Sequence, residues 1–180
     1  MNRRSSAIPL LVLMLAVLPG CLQVRMTEHR IKLNKDGSGE HMLRMIDIRS
    51  DGVTDSAVAH DYRVMISSFD AGVEKEFQAK ARVMVDKKLY ARGDTLFGEL
   101  TYAFKEPAAV EGLRVREDEL FVNIPQEREV LRTNGKIVTL DGGVQRIVWS
   151  RDASRLFYVI REKTLAPGRS LAPYYRGEKQ

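Results

Sequence analysis

One cysteine, Cys21, stands in the whole chain of 180 residues. No disulfide can close within it, so whatever folds must be held by its own apolar core. The residues before Cys21 narrow the reading further. Arg3 and Arg4 supply a positive start, and Ala7 to Leu18 form an apolar run interrupted by Pro9. That is the grammar of an export signal. A permanent span is the alternative, but at ~1.5 Å per residue Ala7 to Leu18 reach roughly 18 Å, short of a ~30 Å hydrocarbon core. Pro9 would also weaken such a helix. The expected organisation is a signal peptide over 1–20, one domain over 21–163, and a flexible tail over 164–180.

The signal ends in Leu18-Pro19-Gly20-Cys21, which resembles the lipobox of bacterial lipoproteins: an aliphatic residue, a variable one, a small one, then the lipidated cysteine. Pro19 is less usual at the variable position than a small polar residue. The resemblance implies cleavage between Gly20 and Cys21 and a diacylglyceryl thioether on Cys21. In many bacteria it also implies a further acyl chain, typically palmitate, on the new amino terminus. At ~0.8 kcal/mol per buried CH₂ one chain anchors marginally, and two or three anchor durably. As a catalytic nucleophile Cys21 is poorly placed, because it directly follows the export segment with no base partner in view. In a host with two membranes, Leu22 is not the Asp that the family's sorting rules associate with inner-membrane retention. The expectation is then the outer membrane, facing the periplasm.

A calculated pI of 9.4 invites a nucleic-acid reading. Taking Arg3 and Arg4 from the 29 basic residues leaves 27 against 24 acidic ones, a formal +3. The charges are interspersed, with no basic stripe interleaved with stacking aromatics, and export removes the chain from nucleic acid. A mixed, solvated surface is expected.

After a short tether, Arg30–Leu33 and Met42–Arg49 flank the turn-rich Asn34-Lys35-Asp36-Gly37-Ser38-Gly39, which predicts a β-hairpin. Its register stays open, because Met42, Ile46 and Ile48 favour one face while Leu43 and Met45 favour the other. Val58, Tyr62, Met65, Ile66, Phe69, Val73 and Phe77 then recur at helical spacing, with Thr54 or Asp55 able to cap the start. Gly72 costs about 1 kcal/mol relative to Ala and allows a break into two helices. From Arg82 onward the chain reads as strands: Arg82–Ala91, Leu96–Phe104, Leu120–Ile124, Val130–Arg132, Ile137–Leu140, Val144–Ser150 and Leu156–Arg161. Glu106–Leu113 reads as a short helix with Pro107 in its first turn. The fold class that follows is α+β: an antiparallel sheet with one amphipathic helix, possible to break in two, packed on a face.

The groups that could carry chemistry are few. Asn34, Asp36, Ser38 and Gly39 match the start of an EF-hand loop. However, Met45 stands where the bidentate Glu belongs and His41 where an aliphatic residue belongs, so a plain turn explains them. With His41 placed opposite Asn34 or Lys35, His29 lies five or six residues along, roughly 17–20 Å away, too far to share an ion. His60 has Val64 at i+4 rather than a second ligand. Ser67 and Ser68 fall in the helical pattern without a nucleophile elbow. Glu117, Asp118 and Glu119 read as a charged turn, and Asp36–Gly39 lacks the lysine and helix of a phosphate loop. Tyr62, Met65, Ile66, Phe69 and Phe77 are candidates to line an apolar pocket for a lipid tail, against the plainer reading of helix-on-sheet packing. The tail offers Arg169, Tyr174, Tyr175, Arg176 and Lys179 to a partner or to anionic headgroups.

Taken in order, Cys21, the hairpin around Asp36-Gly37-Ser38-Gly39, Leu100-Thr101-Tyr102-Ala103-Phe104, Pro125, Asn134-Gly135 and Val148-Trp149 resemble the LppM-type domain of bacterial lipoproteins. That resemblance implies an α+β domain associated with lipid or glycolipid binding at the cell envelope. It differs from better-known members in having no C-terminal transmembrane helix, which implies another mode of attachment. The expected function is a membrane-anchored, non-enzymatic envelope lipoprotein that binds a lipid or other amphiphile. The alternatives are an interaction lipoprotein that docks envelope proteins and, less favoured, a hydrolase. No cofactor, metal or nucleic-acid partner is expected.

Overall fold

The computed structural model describes residues Leu22–Gly177; the expected signal segment over 1–20, Gly20 included, Cys21 and Lys179 lie outside the described residues. β1 (Leu22–Leu33) and β2 (Gly39–Ser50) form the expected hairpin, and the presumed tether before Arg30 is itself strand. The turn is built as its residues suggest. Asp36 Oδ1 accepts from the Ser38 backbone N–H at 3.0 Å and its hydroxyl at 2.6 Å, while Gly37 takes φ 85°. A Cβ on Gly39 would collide with the Lys32 carbonyl oxygen and stand 2.7 Å from the Phe104 ring, so this approach requires glycine. Leu33 pairs with Gly39 and Ile31 with His41. The conflicting faces of β2 have a backbone cause. Met45 and Ile48 pack in the same core, and between them Asp47 takes φ 63°, which breaks the alternation.

The helical face forms one rod rather than two helices. α1 (Asp55–Ser67) runs through a π-helical turn (Ser68–Gly72) into α2 (Val73–Ala79), and Gly72 itself is helical at φ −72°, ψ −43°. Thr54 caps the start, its hydroxyl accepting from the Ala57 N–H at 3.2 Å. Pro107–Ala109 makes only a 3₁₀ turn where a longer helix was expected, because Gly112 takes φ 75° and Leu113 already belongs to a strand.

The remaining strands are β3 (Arg82–Arg92), β4 (Thr95–Phe104), β5 (Leu113–Arg116), β6 (Glu119–Ile124), β7 (Arg128–Thr133), β8 (Lys136–Thr139), β9 (Gln145–Ser150), β10 (Arg155–Glu162) and β11 (Arg169–Ser170). A seven-stranded antiparallel sheet runs β3-β4-β2-β1-β10-β7, with β11 joined to β2 off that path, and a four-stranded one runs β5-β6-β9-β8. β11 pairs with the end of β2, Arg169 against Ser50, past the point where β4 stops pairing at Ile46. α3 (Ala172–Gly177) follows it. The described part of 164–180 is therefore docked, not a free tail. Leu171 and Ala172 are fully buried, and Tyr175 donates to the Leu89 carbonyl at 2.5 Å.

Two apolar cores result, both on one face of the large sheet. Between the sheets, Ile31, Leu100, Tyr102, Phe104, Tyr158 and Ile160 meet Leu113, Leu120, Val122, Ile124, Ile147 and Trp149, with Phe69 and Phe77 from the helical rod. The smaller core holds Leu22, Ile48, Val58, Tyr62, Met65, Leu96, Leu171 and Ala172. The α+β class is as the patterning predicts. The opposite face of the large sheet carries a charged ladder in which Arg44 bridges Glu28 and Glu99, and Tyr90 donates to Glu99 at 2.6 Å.

Candidate functional site

The five side chains proposed to line a lipid pocket divide between the two cores. Tyr62 and Met65 are buried in the smaller one, with Ile66 packed at its margin, and Phe69 and Phe77 are buried in the larger. They face the sheet as the helical period requires. Their contacts are those of helix-on-sheet packing.

The large core contains a polar feature that the sequence reading placed wrongly. His29 and His41 are not 17–20 Å apart: His29 Nδ1 and His41 Nε2 lie 3.2 Å from each other. The error was one of register. The loop takes up Asn34–Ser38, so His41 falls opposite Ile31 and becomes the diagonal neighbour of His29 on the inner face. His41 Nδ1 lies 2.7 Å from the Tyr102 hydroxyl, and His29 Nε2 lies 3.1 Å from Thr27 Oγ1. Tyr102 faces His41 across β2–β4, and Tyr158 stacks on His29 at 4.2 Å between centroids.

This row, Tyr102–His41–His29–Thr27, has three hydrogen bonds and needs one proton in each. Two neutral imidazoles satisfy it in either direction. With Tyr102 donating to His41 Nδ1, His41 Nε2–H donates to His29 and His29 Nε2–H donates to Thr27. A second proton on His29 would set its Nδ1–H against His41 Nε2–H, donor to donor, and one on His41 Nδ1 would fit only with the Tyr102 hydroxyl turned to accept. Burial and then the Arg82 charge push His41 down to about 3. Burial, His41 and Arg128 hold His29 well below the usual histidine range. Burial raises Tyr102 to about 12. Arg82 itself is buried, its guanidinium 5.0 Å from the Tyr102 ring and 5.4 Å from Phe77, with Nε donating to the Ala109 carbonyl at 2.6 Å. The arrangement can carry a proton along the row; its hydrogen bonds pin β4, β2 and β1 in register, and Tyr158 of β10 stacks against it. With His41 only 3% exposed, it offers no open face to a substrate. A register derived from the turn's own Asp36–Ser38 hydrogen bonds would have revealed the pair.

Outside the cores, a groove of about 520 Å³ opens between α2 and the edge strand β3, lined by Glu74, Gln78, Arg82, Val83, Val85 and Lys87. Val83 and Val85 are exposed on it, and Lys87 Nζ bonds Glu74 at 3.0 Å. Among the described residues, no three His, Cys, Asp or Glu side chains stand where they could hold a metal ion. Among them, too, no helix is long and apolar enough to cross a membrane.

The predicted lipidation position, Cys21, lies outside the described residues, yet its neighbour is informative. Leu22 is already in β1, paired with Ser50 and 7% exposed. Around this end Ser50 donates to Asp61 in the interior, Arg49 bonds the Gly168 carbonyl at 2.9 Å, and Arg169 meets Asp55 at 2.6 Å. Compared with family models, curated proteins and solved structures, the chain gives no match.

Proposed function

We propose that this chain is a lipid-anchored protein of the bacterial cell envelope whose domain acts by contact rather than by catalysis. The observation that carries the reading is the order of the first residues: Arg3 and Arg4, the apolar Ala7 to Leu18, then the lipobox-like Leu18-Pro19-Gly20-Cys21. Two or three acyl chains on Cys21 would hold the domain at a bilayer durably. The inward-facing, neutral histidine pair then serves the fold. The test is the intact mass of the mature protein together with incorporation of labelled palmitate. The expected product begins at Cys21, carries at least a diacylglyceryl group, and loses both label and membrane association in Cys21→Ser. A mature product with a free thiol, or one beginning elsewhere, would overturn the reading.

A second reading, amphiphile binding, is favoured by the groove beside β3. Its volume falls in the range of small-ligand sites, and exposed Val83 and Val85 lie there among Glu74, Asp86 and Lys87, the last paired with Glu74. A fluorescent fatty acid should bind the wild-type protein and bind Val85→Asp at least roughly tenfold more weakly, as expected from losing apolar contact and gaining like charge. Equal binding by the two proteins would remove this reading and leave docking of other envelope proteins in its place.

A further inference from the structure

We infer that the domain rests end-on against the bilayer that holds its acyl chains, with the loop between β2 and α1 dipping Val53 into the headgroup region. The inference rests on the anchoring at Cys21 proposed above. Its first support is the absence of slack. A lipidated residue 21 is one Cα step, ~3.8 Å, from Leu22. Leu22 is fixed by pairing with Ser50 and by burial among Ile48, Leu171 and Ala172. The strand end therefore stays within reach of the cysteine side chain and its glyceryl link, with no stretch of free backbone between them.

Its second support is what the chain places at that end. β2 runs antiparallel to β1, so it finishes beside Leu22 and passes directly into residues 51–54 before Thr54 caps α1. Val53 sits in that loop 91% exposed, more open to solvent than Val83 at 65% or Val85 at 57%. An apolar side chain so placed is costly in water and suited to the interface, where such groups bury ~5–10 Å into the headgroup and acyl boundary.

Charge is the third support. Arg169 and Arg176 flank this end, paired with Asp55 and Asp94 at 2.6 and 3.1 Å. The two aspartates are 86% and 90% exposed, so these pairs are loose and the guanidinium groups can turn to lipid phosphates. Arg25 on β1 is half-exposed and pairs with Asp47 at 3.5 Å, so the two arginines beside the exposed aspartates are the ones free to turn. The far end of the sheet contrasts with this. At ~3.3 Å per residue the 12 residues of β1 carry the Asn34–Ser38 turn roughly 40 Å away, where Lys35 serves as an aqueous reference.

The acylated sulfur makes the experiment direct, since a cysteine introduced elsewhere is then the only free thiol. Lipidated full-length Val53→Cys and Lys35→Cys, each carrying a polarity-sensitive dye, are reconstituted in phosphatidylethanolamine–phosphatidylglycerol vesicles. The expected result is a blue-shifted dye at position 53 that lipid-borne quenchers reach at least about twofold more effectively than the dye at 35. Equal, water-like behaviour at both positions, with the intact mass showing acylation, overturns the end-on placement and leaves the anchor standing. A blue shift at 53 without lipid quenching overturns it in favour of a protein lying over that loop. An unacylated Cys21 overturns the anchor and this inference together.

Discussion

The core between the two sheets buries Tyr102, Tyr158 and Trp149 around a hydrogen-bonded histidine pair, whereas the core at the Leu22 end is aliphatic, edged with tyrosine. The first is assembled from strands spread along the chain and contains groups whose charge depends on pH. The second is completed by the last described segment, Leu171 and Ala172, laid over the start of β1. One core is therefore vulnerable to protons and the other to loss of a short piece of chain. The helical rod spans the two, with Val58, Tyr62 and Met65 in one and Phe69 and Phe77 in the other. That shared element couples them, so damage to either should be felt as loss of the whole fold.

Acid should separate the cores most strongly. His41 is held down to about 3 when folded and returns to its ordinary 6.5 when unfolded. Between those values the unfolded chain takes up a proton that the folded one refuses, so stability is full above about pH 6.5 and declines toward pH 3. At 1.36 kcal/mol per unit the loss is on the order of 5 kcal/mol. Denaturant titrations from pH 7 to 3.5 should show this slope in the wild type and a shallower one in His41→Gln. Parallel slopes would remove His41 as its source.

Cavity formation compares the cores directly. Trp149→Ala empties the space against Tyr158 and Gly135 and removes the indole bond to Asn134 Oδ1 at 2.7 Å, at an expected cost of about 3–5 kcal/mol. Leu171→Ala should cost about 2–5 kcal/mol despite lying in what reads as a tail, because the side chain is fully buried. Chemical denaturation followed by far-UV circular dichroism would measure both. A Leu171→Ala cost below about 0.5 kcal/mol, ordinary for a surface position, would mean that the second core closes without the tail. The smallest effect belongs to the element the cores share. Thr54→Ala removes the cap on α1 and should cost about 1 kcal/mol, read from the same titration, with no change in its pH slope.

These contrasts also explain what was legible from residues alone. The strands after Arg82 were readable because turn residues punctuate them, and β5 escaped because Leu113–Arg116 is too short to show a period. The helical face was readable because seven apolar residues repeat at 3.6, and Gly72 misled because propensity counts a glycine as a weak point. A π turn absorbs it with helical dihedrals instead. The candidate pocket residues were identified as one face but not as parts of two cores, since that division depends on which strands lie opposite. The histidine pair was missed by a shift of register, which moves a side chain along its neighbour without altering any local signal. The docked tail was missed because Pro167, Gly168 and Pro173 look the same in a free segment as in one held by β2.

The sequence by itself determined the reliance on a core without disulfides, the Asp36–Ser38 turn, a cap at Thr54 or Asp55 and the α+β class. Each depends on residues within a few positions of one another, where backbone dihedrals and side-chain reach decide the outcome. Only the tertiary structure decided that His29 meets His41, that Asp47 reverses the facing of β2, that Leu171 seals the second core, and that Leu22 is buried beside it and paired with Ser50. Those outcomes are set by packing between segments far apart in the chain, where burial and the pairing of buried polar groups outweigh local preference.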